Sequence, residues 1–131
     1  MRMAFELQMI AAGALIGLVN ILWLVGLTVP KFGMAWAVGS REDPVAMAGM
    51  IGRVQRSLTN FGETFPIFIG AVAVAYLGGR LGALSSYGAL AYVVGRAFYL
   101  PIYAFGVPVL RTVAWMLALA GILSILASMV V

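Results

Sequence analysis

Four long stretches of apolar residues divide the chain, and most of its charged residues fall at or between their ends. The first runs from Leu7 to Val29, 23 residues without a charge. About 20 such residues cross a hydrocarbon core roughly 30 Å thick, so a membrane helix is expected from about Phe5 to Val29, ending at Pro30-Lys31. The stretch exceeds the apolar core of a signal peptide, and no small-residue cleavage pattern follows it. It therefore reads as a retained helix. A polar connection, Phe32 to Gly52, contains Gly39-Ser40-Arg41-Glu42-Asp43-Pro44. Asp43 followed by Pro44 suits a helix cap with proline at the first helical position, which predicts a short interfacial turn there.

The next two stretches are too short to cross unaided. Only 16 uncharged residues separate Glu63 from Arg80, so the second helix must begin near Arg53 and draw Arg56, Asn60 and Glu63 toward the membrane. Gly78-Gly79-Arg80 closes it. The third helix starts near Leu81, and only 15 uncharged residues precede Arg96. It must continue to about Tyr103, placing another charge at depth. After Gly106-Val107-Pro108 the fourth helix runs from about Val109 to Met129, with Arg111 at its start. The pattern predicts an all-α membrane protein, a four-transmembrane-helix bundle in one domain over residues 1–131.

Composition sharpens this. Hydrophobic residues make up 64% and charged residues 9% of the chain, where a soluble domain carries about a quarter charged residues. Mean hydropathy is +1.10. There is no Cys and no His. Disulfides, thiolate metal sites, a cysteine nucleophile and the commonest general base and metal ligand are excluded, and no metal site is expected. Any thiol chemistry must use a thiol brought by the substrate. The net charge of +4 is spread over single basic residues with no basic tail, so nucleic acid is not an expected partner. Lys31, Arg41, Arg53, Arg56, Arg96 and Arg111 flank the first and third connections, against Arg2 and Arg80 on the other side. By the positive-inside rule this count places both termini outside and the charged end toward the cytoplasm.

The polar residues form stripes. Arg53, Arg56, Asn60 and Glu63 are spaced three, four and three apart, and Tyr92, Arg96, Tyr99 and Tyr103 four, three and four apart. Each set lines one helical face; Ser57 and Thr59 broaden the first. Simpler roles compete. Arg53 and Arg111 can anchor helix ends at the headgroups, Arg96 can snorkel, and Tyr92 can belong to an interfacial belt. Glu63 cannot snorkel far and needs a partner, with Arg56 and Arg96 available for a structural ion pair. Asn20 reads as interhelical glue. Ionisable residues at depth more often face a partner or a wet cavity, so the stripes and Arg111 predict a shared pocket. Arginine forks suit carboxylates, Glu63 and Asn60 suit an ammonium group or amide, and tyrosine hydroxyls donate and accept. Glutathione fits this description, and a guanidinium near its thiol would favour the thiolate. Spacing alone does not separate it from another small anion.

The stretch from Gly52 to Pro66, with Arg56, Asn60, Glu63 and Pro66, resembles the signature of the MAPEG family, membrane-associated proteins in eicosanoid and glutathione metabolism. Gly39-Ser40-Arg41-Glu42-Asp43 resembles its bacterial members. Arg96-x-x-Tyr99-x-x-x-Tyr103 and Gly106-Val107-Pro108-x-x-Arg111-Thr112-x-x-Trp115 extend the likeness over nearly the whole chain. The resemblance implies a homotrimer, in a bacterial inner membrane, binding glutathione between subunits toward the cytoplasmic side. Arg56, Asn60, Glu63, Arg96, Tyr99 and Tyr103 would hold the tripeptide, with Arg111 catalytic near the thiol and Lys31 replacing a basic residue that follows the first helix in some members. Thr59 departs from the second basic residue carried by several members, which weakens a prostaglandin-synthase reading.

The leading expectation is a glutathione-dependent transferase or peroxidase acting on hydrophobic electrophiles or lipids. The alternative is a noncatalytic lipid-binding or scaffold member of the same family. A small multidrug transporter fits less well, because opposite charges around Glu63 would hold it ionised.

Overall fold

A computed structural model describes residues 2–131. Five helices follow one another: α1 (Phe5–Phe32), α2 (Met34–Val38), α3 (Gly49–Leu77), α4 (Ala83–Ala104) and α5 (Pro108–Ala127). The four long ones overlap the four apolar stretches. The short α2 has no counterpart among the helices that the pattern predicts, and the turn expected at Asp43-Pro44 is not helical. Instead α1 continues through Pro30 to Phe32, and Gly33 turns the chain at φ 92° into α2. That φ lies in the left-handed region which glycine adopts without steric cost. The second long helix also starts earlier than expected, at Gly49 rather than near Arg53.

Three helices, α1, α3 and α5, are long and apolar enough to cross a membrane. Helix α4 has 22 residues, about 33 Å at 1.5 Å per residue. Its serines, glycines, tyrosines and Arg96 leave it without a stretch as apolar as the best of α1, α3 and α5. Most of those residues face inward: Ser85, Gly88, Tyr92, Gly95, Arg96, Tyr99 and Tyr103 are buried, whereas Tyr87 is exposed.

Helices α4 and α5 form the closest pair. Gly88 and Gly121 oppose each other, and a Cβ added at Gly88 would lie 2.5 Å from the Gly121 carbonyl oxygen. At Gly95 it would lie 2.7 Å from the Ala114 carbonyl. Where lipid replaces water, helices associate through such close backbone contact. Helix α1 packs on α3 by a similar device, with the Phe65 and Phe61 rings lying against Gly13 and Gly17. Phe68, Val72, Tyr92, Ile122 and Ile125 fill the centre.

Several polar groups inside the bundle pair across helices. The Thr64 and Tyr92 hydroxyls lie 2.9 Å apart. The Asn20 amide lies 3.2 Å from Ser57 Oγ, joining α1 to α3 as interhelical glue. Glu6, on the first turn of α1, is 3% exposed, and its carboxylate accepts from Ser85 Oγ at 2.5 Å and Ser86 Oγ at 2.9 Å on α4. In the sequence Glu6 is only the residue before an apolar run, and nothing local singles it out.

Candidate functional site at the α3–α4–α5 end

The start of α3, the end of α4 and the start of α5 meet at one end of the bundle, and the two polar stripes face each other there. Arg56 Nε donates to the Tyr103 hydroxyl at 3.1 Å. One turn deeper, Arg96 Nη1 donates to Asn60 Oδ1 at 2.6 Å, and Nη2 reaches the Ser57 carbonyl at 3.4 Å. Arg96 is 1% exposed. Its guanidinium sits 4.2 Å from the Tyr99 ring centroid and 5.5 Å from that of Phe61, where aromatic faces offset part of the cost of burying a cation. Arg96 therefore does not snorkel. Its Nε has no hydrogen-bond partner among the described residues.

Three adjoining cavities open at this end. One of about 360 Å³ is lined by Arg53, Arg56, Tyr103, Arg111 and the Gly106–Pro108 turn. A second, about 310 Å³, is lined by Arg56, Thr59, Asn60, Glu63, Tyr99, Tyr103 and Arg111. A third, about 230 Å³, continues toward Thr112 and Trp115. Arg111 lines all three, and its guanidinium lies 4.4 Å from the Tyr103 ring centroid. Pro108 as the first residue of α5 sets this geometry, because it starts the helix sharply and delivers Arg111 one turn later.

Six of the seven residues singled out from sequence thus line these cavities. Arg96 is the exception, lying behind the wall and holding Asn60. Glu63 is exposed, and both arginines expected as its partners spend their hydrogen bonds elsewhere, on Asn60, Ser57 and Tyr103. The intramolecular ion pair considered for Glu63 is therefore not what orients these groups. Tyr92 lies buried at the bundle centre, so it is not an interfacial belt residue, and it points to Thr64 rather than to the cavities. Lys31 lies beside the Phe32 ring, 5.8 Å from its centroid, away from the cavity linings. Arg53 does more than anchor a helix end: its Nε donates to the Ala104 carbonyl at 2.9 Å, and its side chain walls the largest of the three cavities. The signal for that role is present in the sequence, since Arg53 sits one turn before Arg56 on the same stripe.

Residues 9–131 match the MAPEG family. The chain belongs to the MAPEG family. No curated protein and no solved structure gives a further match. Membership places the chain among integral membrane proteins of glutathione- and eicosanoid-related function, a family that generally uses glutathione.

Proposed function

We propose that this MAPEG member is a glutathione-dependent transferase or peroxidase, a four-span homotrimer acting on hydrophobic electrophiles at the cytoplasmic side of a bacterial inner membrane. The observation that carries the reading is the position of Arg111 on all three cavities, with Arg53, Arg56, Asn60, Glu63 and tyrosine hydroxyls around them. The tripeptide has two carboxylates, one ammonium group and two amides. Arg56 and Arg53 suit the carboxylates through bidentate donation, and Glu63 suits the ammonium. Asn60, Tyr99 and Tyr103 suit the remaining amides.

Arg111 acts on the thiol. A free cysteine thiol ionises at a pKa of about 8.5, and a neighbouring guanidinium lowers it. The proton leaves to water, and the sulfur's electron pair forms the new bond to an electrophilic carbon as the leaving group departs. The electrophile reaches the sulfur from the bilayer.

Trimerisation is supported by Glu63. It lies 14 residues before Leu77, the last residue of α3, or about 21 Å along the helix. An exposed carboxylate at that depth is costly unless a partner or ligand covers it, and a neighbouring copy with glutathione between them supplies both.

The test is the ultraviolet absorbance of the glutathione thiolate added to purified protein across a pH series. The proposal predicts a thiolate midpoint at least one pH unit below that of free glutathione, lost in Arg111→Ala, with turnover of a lipophilic aryl halide lost in parallel. Glutathione that binds with an unshifted midpoint and no turnover would instead favour the noncatalytic member.

A further inference from the structure

A separate cavity lies on the other side of α3. It occupies about 350 Å³ between the C-terminal half of α1, the short helix α2 and the second turn of α3. Its walls are mostly apolar, from Leu24, Val25 and Val29 of α1 and Met47 of the connection, with Trp36 and the exposed Arg41 also lining it. The one wall hydroxyl, that of Thr28, is satisfied by the Leu24 carbonyl at 2.8 Å.

Arg41 is held in place. It is the one non-glycine residue among those described with a left-handed backbone, at φ 57°, a conformation that costs free energy and persists where surrounding contacts impose it. Its guanidinium lies over the Trp36 ring, 4.4 Å from the centroid. Nη2 donates to the Ala37 carbonyl at 2.8 Å, fastening the side chain to the end of α2. A guanidinium has five N–H donors, so others remain open to a ligand. Gln55 of α3, adjacent in sequence to Arg56 of the site described above, contributes an amide to the same cavity.

We propose that this cavity binds one long-chain fatty-acid carboxylate, its head on Arg41 and its chain along α1. Three observations select that occupant. The lining is mostly apolar with one fixed, exposed cation, which matches an amphiphile with an anionic head. The volume lies at the lower end of the roughly 300–1,000 Å³ of small-molecule sites, enough for one acyl chain and too little for a diacyl lipid. The planar guanidinium fork matches a carboxylate. The site is independent of the glutathione reading, because its lining shares no residue with the three cavities at the α3–α4–α5 end.

Trp36 provides the readout. The protein is reconstituted in nanodiscs of zwitterionic diacyl lipid, and tryptophan fluorescence is followed as dibromostearate is added, since bromine quenches on contact. Parallel titrations use the dibromostearate methyl ester and dibrominated phosphatidylcholine. The expected result is saturable quenching by the carboxylate alone, absent in Trp36→Phe and shifted to about tenfold higher concentration in Arg41→Gln, the loss of one charge-assisted hydrogen bond. Equal quenching by the ester, saturation by phosphatidylcholine, or a curve unmoved by Arg41→Gln would each overturn the proposal and leave a lipid-facing crevice. The ester comparison uses the unaltered chain, so its outcome does not depend on how a variant folds.

Discussion

At the scale of single residues, the chain separates polar groups that hold the bundle together from polar groups that face the cavities. Tyr92 and Arg96 lie four residues apart on one face of α4, yet Tyr92 bonds Thr64 in the core and Arg96 bonds Asn60 at the site. Tyr92→Phe removes one neutral hydrogen bond and is predicted to lower stability by about 1 kcal/mol, with glutathione affinity unchanged. Asn60→Leu strands a donor of a buried guanidinium and is predicted to cost about 1–3 kcal/mol, and to weaken glutathione as well. Thermal unfolding in detergent and a binding titration on both variants check the contrast. Equal losses of affinity would show that the two residues belong to one network after all.

At the scale of helices, the decisive contacts are between backbones. Gly121→Val would push a branched side chain into the Gly88 carbonyl and should cost more than the about 1–3 kcal/mol of ordinary overpacking, because backbone cannot rotate away. It should also abolish ligand binding, since Tyr99 and Tyr103 ride on α4 while Arg111 rides on α5. Gly70→Ala, where an added Cβ meets nothing, is predicted to hold or raise the unfolding temperature, since glycine costs a helix interior up to about 1 kcal/mol relative to alanine. Such contacts explain what is legible in the sequence. Hydrophobic pattern and spacing locate the long helices and put Arg56, Asn60, Glu63, Tyr99 and Tyr103 on facing stripes, because helical periodicity is a local property. The pairing of Arg96 with Asn60 and the burial of Glu6 against Ser85 depend on which helices become neighbours. No local pattern encodes that. Helix α2 escapes the pattern for a related reason: five residues carry too little periodicity to register.

At the scale of the whole molecule, the proposed orientation and site make one claim together. The chain has no cysteine, so single cysteines can be introduced without background. Ser40→Cys is predicted to react with a membrane-impermeant maleimide only from the cytoplasmic side, and Gly79→Cys only from the other. The reverse pattern would invert the bundle and place the arginine-lined end outside, away from cytoplasmic glutathione. The most direct measurement is calorimetric titration of glutathione into the purified, detergent-solubilised protein, with Arg56→Ala and Glu63→Gln measured alongside. The account predicts saturable binding by the unaltered chain, weakened at least about tenfold by either substitution, as expected for loss of a charge-assisted contact. A well-folded protein that takes up no glutathione, or binds it equally well without Arg56 and Glu63, would contradict the account.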